Sequence, residues 1–283
     1  MNNESVLFTV VYPQAFRFFD DFCDSISNQS RKDFDLLIVN DGCETAALED
    51  KLDGLNHIII DAIGSPSENR TQGINFARKN GYKYIVFCDS DDTFLPERFE
   101  RTIEEFETSC ADILVGNLNV VDKDMSMLIG DYFSMEIPSN RWIDADFIKD
   151  KNIFGMSNTA LRLATLNEDV NLPETPIADW YLFTMLLIQG LKAKYIGDSY
   201  VNYRQYDSNM IGINRFDVQS FRRLANLKNN HYGLLVRNGF AQYKHALTES
   251  EKLLIFSDND IEEIVKKNLL VHKQPLWWQI ITR

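Results

Sequence analysis

The sequence predicts a doubly wound α/β protein with a mainly parallel sheet and a helical C-terminal extension. Strand-length apolar runs alternate with helically spaced ones through the first half, and little strand signal remains beyond Asn209. Residues 7–11 read as the first strand, after which Phe16, Phe19, Cys23 and Ile26 recur at helical spacing. Residues 34–39 form a second apolar run ending in Asn40-Asp41-Gly42, and residues 57–60 a third. Residues 69–80 read as a helix closed by Gly81. Tyr84-Ile85-Val86-Phe87-Cys88 is the fourth strand. Pro96-Glu97 then opens a helix with Phe99, Ile103 and Phe106 on one face, and residues 113–115 give a fifth strand. Such alternation implies parallel strands joined by helical crossovers.

From Gly116 the pattern loosens. Residues 120–121 and 127–129 look like short strands around the polar turn Asp122-Lys123-Asp124. Residues 178–189 form a strong helix, followed by short strands at 194–196 and 200–203. The α/β domain is placed over residues 1–210 and the extension over 211–283, with a soft boundary because no Pro/Gly-rich linker separates them.

The 283 residues suffice for a substantial core, and 45% hydrophobic with 25% charged residues is ordinary for a soluble protein. A net charge of −13 argues against general nucleic-acid binding, yet leaves room for one nucleotide held in a pocket with a metal. Four widely spaced cysteines without a C-x-x-C favour a reduced, cytoplasmic setting. The first residues lack the features of a signal peptide. The longest apolar run, residues 180–188, is too short to span a bilayer. The expectation is a cytoplasmic protein, soluble or peripheral at the inner face of the membrane.

The fourth strand runs into Asp89-Ser90-Asp91-Asp92. In open α/β sheets ligands bind at that strand end. Three acids within four positions repel one another, an arrangement that a Mg²⁺ or Mn²⁺ ion shared with a substrate phosphate would relieve. A polar turn is the plain alternative. The chain has no G-x-G-x-x-G after the first strand, Walker lysine loop, H-E-x-x-H or G-x-S-x-G elbow, and its four histidines are scattered.

What remains is a series of carboxylates and one arginine near strand ends and helix starts: Asp41, Arg70, Asp89, Asp91 and Asp179. With them come Thr9-Val10-Val11-Tyr12-Pro13, Asn69-Arg70-Thr71-Gln72-Gly73, Ile177-Ala178-Asp179-Trp180 and Val201-Asn202-Tyr203-Arg204. In this order and spacing the set resembles the inverting glycosyltransferases of family 2, which have the GT-A fold. The resemblance covers residues 5–210. It implies a nucleotide-sugar donor bound through Pro13, Asp41, Arg70, Asp89 and Arg204, with Asp41 reading a uracil-like base and Arg70 near the diphosphate. It makes Asp91 the metal ligand, Asp89 the acid nearer the ribose, and Asp179 the catalytic base. Asp92 is read as a turn acid. Trp180 would either stack on an acceptor sugar or pack in the core, and Arg204 either approach the diphosphate or form a structural salt bridge. The chain departs from the family pattern at Asn40, Ala178 and Gln14-Ala15-Phe16, which leaves the donor less secure than the reaction class.

Two other readings stand beside this one. Asp89-Ser90-Asp91-Asp92-Thr93 also fits a haloacid-dehalogenase-like phosphatase, with Asp89 as nucleophile, Asp91 as acid/base and Leu254-Ile255-Phe256-Ser257-Asp258-Asn259-Asp260 as a later acidic motif. A catalytically silent nucleotide-sugar-binding module is the other. The acceptor would be a glycan or a lipid-linked glycan. Residues 270–283, with adjacent Trp277 and Trp278, suggest a peripheral membrane contact or a homodimer interface, or a segment packed back on the domain.

Overall fold

A computed structural model of the chain describes residues 3–206, 216–271, 277, 279 and 280. Strands β1 (Ser5–Val11), β2 (Phe34–Asn40), β3 (His57–Asp61) and β4 (Tyr84–Phe87) lie parallel in the spatial order β3-β2-β1-β4. β1, β2 and β4 are buried almost throughout, which explains why they read as continuous apolar runs instead of alternating ones. Helices α1 (Phe19–Ser27), α2 (Thr45–Lys51) and α3 (Pro66–Lys79) connect them.

Two local features fix α3. Ser65 and Glu68 form a reciprocal capping box with Pro66 at the first helical turn, so the helix starts where its free amides are satisfied. At Gly73 a Cβ would lie 2.1 Å from the Phe8 ring, so the missing side chain lets α3 settle on β1. That close approach brings Arg70, one turn earlier, toward the ends of the strands.

The second half completes the sheet with β5 (Thr93–Phe94), α4 (Arg98–Thr108), β6 (Ile113–Val121), β7 (Met127–Ile129), β8 (Trp142–Ile143), β9 (Thr159–Arg162), α5 (Ala178–Ile188) and β10 (Ala193–Arg204). The order is β3-β2-β1-β4-β9-β6-β10-β5, with β7 on β6 and β8 on β10. The long ladders are parallel, including β6 on β10, while β9 is inserted antiparallel between β4 and β6. The expected hairpin at 120–129 is present as β6 and β7, its turn closed by the Asp122 carboxylate accepting from the Asp124 and Ser126 amides. The two strands expected at 194–203 are one, β10, with a register irregularity between Ile196 and Val201 that hides its continuity.

Helices α6 (Val218–Arg237), α7 (Lys244–Leu254) and α8 (Asp258–Val271) form the expected helical C-terminal part. Leu227, Tyr232 and Leu235 of α6 join the main core, so this part is packed onto the α/β layer. Phe221, Ala225, Ile261 and Ile264 make a second, smaller cluster. The boundary near residue 210 falls outside the described residues. All four cysteines are free. Among the described residues no helix is long and apolar enough to cross a membrane.

Candidate active site

The end of β1 organises the site. The Asp41 amide donates to Val11 O (2.8 Å) on one side, while Cys88 N donates to Phe8 O (2.9 Å) and Ser90 Oγ to Val10 O (2.9 Å) on the other. Asp41 and the acidic loop after β4 therefore flank β1, with Tyr12 and Pro13 continuing between them. Gly42, at φ +90°, makes the sharp turn after Asp41.

Within the acidic loop the three carboxylates differ in their surroundings. Asp92 is buried, accepting from Ser157 Oγ and from the Arg204 amide (2.7 Å). Burial and the charges of Asp91 and Asp89 push its pKa well up. It is a buried anchor, a stronger role than the turn acid expected. Asp91 is partly exposed, and its Oδ2 accepts from the hydroxyls of Tyr206 and Tyr12 (3.4 Å for Tyr12). Burial and the Asp91 charge hold the Tyr12 phenol protonated, which keeps it a donor. Asp89 donates its amide to Ser157 Oγ (3.0 Å). Burial raises its carboxyl to about 6, Arg70 opposes the shift, and Asp91 and Asp179 add to it.

Asp179 lies in the first turn of α5. Its Oδ1 accepts from the Trp180 amide (2.7 Å) and its Oδ2 from Asn152 Nδ2 (3.3 Å). Burial raises its pKa to about 6, against the pull of the Trp180 amide and of Arg70. Arg70 acts electrostatically on both Asp89 and Asp179, and Asp89 also feels Asp179 directly. Residues scattered from 70 to 179 thus share one electrostatic environment.

Two expected roles change. Trp180 is fully buried, with Nε1 donating to Ile148 O (2.9 Å) and its ring 3.9 Å from the His231 ring, so it is a core residue and not an acceptor platform. Arg204 is buried as well. Its guanidinium donates to Asp91 O (2.8 Å), Lys123 O (2.8 Å) and the Asp21 carboxylate (2.7 Å), and it stacks on Phe18 (4.3 Å). Of the two readings of Arg204, the structural salt bridge is the one present.

Sequence reasoning missed Ser157, Asn152 and Tyr206, and treated Tyr12 only as a motif neighbour. Single polar residues in loops carry no periodic signal, and only the fold brings them beside the acids.

The profile of glycosyl transferase family 2 matches residues 13–155, from just after β1 to the segment before β9. The chain belongs to this family. As a family 2 glycosyltransferase it is 34% identical over 102 residues to the uncharacterized glycosyltransferase EpsJ of Bacillus subtilis (strain 168), covering 34% of this chain and 29% of that protein. It is 40% identical over 67 residues to the succinoglycan biosynthesis protein ExoO of Rhizobium meliloti (strain 1021), covering 24% and 18% respectively. The matches thus span less than a third of either relative. Among solved structures, S. aureus TarS 1–349 in complex with UDP-GlcNAc superposes with TM-score 0.59 and 17% identity over 94% of this chain and 91% of that one. The mannosyltransferase PcManGT of Pyrobaculum calidifontis, in complex with GDP-Man and Mn²⁺, gives 0.58 and 13% over 96% and 76%. These likenesses establish the GT-A fold. Family membership displaces the phosphatase alternative, and its later acidic motif has local partners: Asp258 pairs with Arg222, and Asp260 accepts from Ser257.

Proposed function

We propose that this enzyme is a metal-dependent inverting glycosyltransferase that moves a sugar from a UDP-linked donor to a hydroxyl of a glycan or lipid-linked acceptor in polysaccharide assembly. The observation that carries the reading is that one segment joins the two acidic groups: Ser157 bonds the Asp89 amide and Asp92, and Asn152 donates to Asp179, with Arg70 acting electrostatically on both Asp89 and Asp179.

Asp179 is the general base. A carboxyl group at about 6 is ionised at neutral pH and more basic than an exposed aspartate, which suits proton removal from an acceptor hydroxyl. The acceptor oxygen attacks the anomeric carbon opposite the diphosphate, the bond to the diphosphate oxygen breaks, and the proton passes to Asp179. The nucleoside diphosphate departs and the anomeric configuration inverts. Arg70 balances negative charge on the donor. Asp41 receives the base N–H, Pro13 lies beside it, and Asp89 faces the ribose.

The residues present fit a divalent cation. The charge of Asp91 raises the proton affinity of Asp89 and of Asp92, and the Asp89 charge adds to the rise at Asp92, which marks uncompensated negative charge. Among the described residues no three His, Cys, Asp or Glu side chains group into a metal site. Mg²⁺ and Mn²⁺ commonly take one or two carboxylates and share the remaining positions with substrate phosphates and water. Asp91, partly exposed and steadied by two tyrosines, would hold the ion. Bound there, it would act as a Lewis acid on the leaving diphosphate. The ligands of the two structural neighbours, UDP-GlcNAc in one and GDP-Man with Mn²⁺ in the other, support a nucleotide-sugar donor and a cation.

A panel of UDP- and GDP-sugars with Mn²⁺ or Mg²⁺, followed by thermal shift and nucleotide release, tests the proposal. A metal-dependent stabilisation by one UDP-sugar, with slow nucleotide release that Asp91→Ala abolishes, supports it. Tight donor binding with no transfer to any acceptor or to water would leave a binding module instead.

A further inference from the structure

Segment 152–158 touches both halves of the site. Ser157 Oγ receives the Asp89 amide and donates to Asp92, and the Ser157 carbonyl accepts from the buried guanidinium of Arg98. Asn152, five residues earlier, is fully buried and uses both ends of its amide. Its Oδ1 accepts from Phe154 N (3.0 Å), while its Nδ2 donates to Phe154 O (2.8 Å) and to Asp179 Oδ2 (3.3 Å). The segment is braced internally as well, since Asn158 Oδ1 accepts from Gly155 N (2.8 Å) and Asn158 Nδ2 donates to Gly116 O (2.8 Å).

The far end of the chain seats this segment. The Asn152 amide donates to Trp277 O (2.8 Å), and the Trp277 ring lies against Tyr132, Phe133 and Tyr203. At Gly155 a Cβ would lie 3.0 Å from that ring, so glycine leaves room for the indole. A tail residue is thus one hydrogen bond from Asn152, and Asn152 is one hydrogen bond from Asp179.

We propose that Asn152 is a positioning residue for the Asp179 carboxylate and that Trp277 seats Asn152. The inference rests on the reading of Asp179 as the base. With Oδ1 held by the Trp180 amide and Oδ2 by Asn152, the carboxylate plane is fixed, and with it the directions of the remaining lone pairs. Small displacements of a catalytic group cost much of the rate, because proximity requires a narrow geometry. Arg70 from α3 is the charged group acting on Asp179, Asp179 in turn raises Asp89 of the acidic loop, and neither Arg70 nor Asp89 depends on Asn152 for its own hydrogen bonds.

The test uses the full chain labelled with ¹³C at aspartate carboxyl carbons, titrated by NMR without donor or metal, with Asp179 assigned by its loss in Asp179→Asn. Asn152 donates to the ionised carboxylate, so Asn152→Ala is expected to move the Asp179 midpoint upward while leaving Asp89 in place. Trp277→Ala, which leaves Asn152 intact, is expected to move the same midpoint in the same direction by less and serves if Asn152→Ala fails to fold. An unchanged Asp179 midpoint in the folded variants overturns the proposal. In parallel, nucleotide release from UDP-GlcNAc with Mn²⁺ should fall about 10- to 100-fold in Asn152→Ala with donor binding unchanged. If Asp179→Asn turns over as fast as the unaltered enzyme, the base reading fails, whereas the NMR result still reports whether Asn152 holds the carboxylate.

Discussion

Arg204 Nε donates to the backbone carbonyl of Asp91 at 2.8 Å, joining residues 113 positions apart. The end of β10 thereby clamps the acidic loop that follows β4, and the Arg204 amide adds a second tie to Asp92. Arg204→Lys keeps the charge but loses the planar fork that reaches Asp91, Lys123 and Asp21 together. The expected cost is about 2–4 kcal/mol, from buried carbonyls left unpaired. Urea unfolding measures it, and a change below about 0.5 kcal/mol would place the clamp elsewhere.

The two tyrosines on Asp91 Oδ2 should matter for the cation proposed there. With that oxygen occupied by hydroxyl donors, Asp91 is held in one orientation. Tyr206→Phe is expected to weaken Mn²⁺ binding by about 3- to 10-fold, the worth of one hydrogen bond. Thermal shift against Mn²⁺ concentration reads this directly. Tighter binding would mean that the phenol competes with the ion.

Gly73→Ala places a methyl group inside the Phe8 ring volume and should push α3 away from β1. Overpacking of this kind costs about 1–3 kcal/mol. Because Arg70 is on the same helix, donor KM should rise with the loss of stability. A variant that loses stability but binds donor normally would separate Arg70 from the packing of α3.

The pH dependence of stability follows from the raised acids. Asp89 and Asp179 have folded pKa values near 6, above the ordinary aspartate value, so the folded protein binds their protons more tightly than the unfolded chain. Their contribution favours folding when protonated and is lost as pH rises through about 6. Asp89→Asn should therefore raise Tm at pH 7, by about 2–4 °C for each kcal/mol recovered. Differential scanning calorimetry without metal checks the sign, and a lower Tm would contradict it.

Much of this was legible in the sequence. β1, β2 and β4 announce themselves because strands covered on both faces must be apolar throughout. Asp41, Asp89 and Asp91 stand out because they follow such strands. β9 escapes because its four residues carry Arg162 and are paired only through distant strands. Trp180 misleads, since an aromatic beside a candidate base reads equally as surface or core until α6 brings His231 onto it. Asn152, Ser157 and Tyr206 acquire meaning only through tertiary contacts.

The proposed role of Asp179 as the base of a transfer reaction can be measured directly. The most direct measurement is kcat/KM against pH for the unaltered enzyme and Asp179→Asn, with the nucleotide sugar that stabilises the protein most. An acid limb near pH 6 is expected, with a loss of about 10²- to 10⁴-fold in Asp179→Asn and donor affinity retained. Turnover in Asp179→Asn equal to that of the unaltered enzyme would contradict that role.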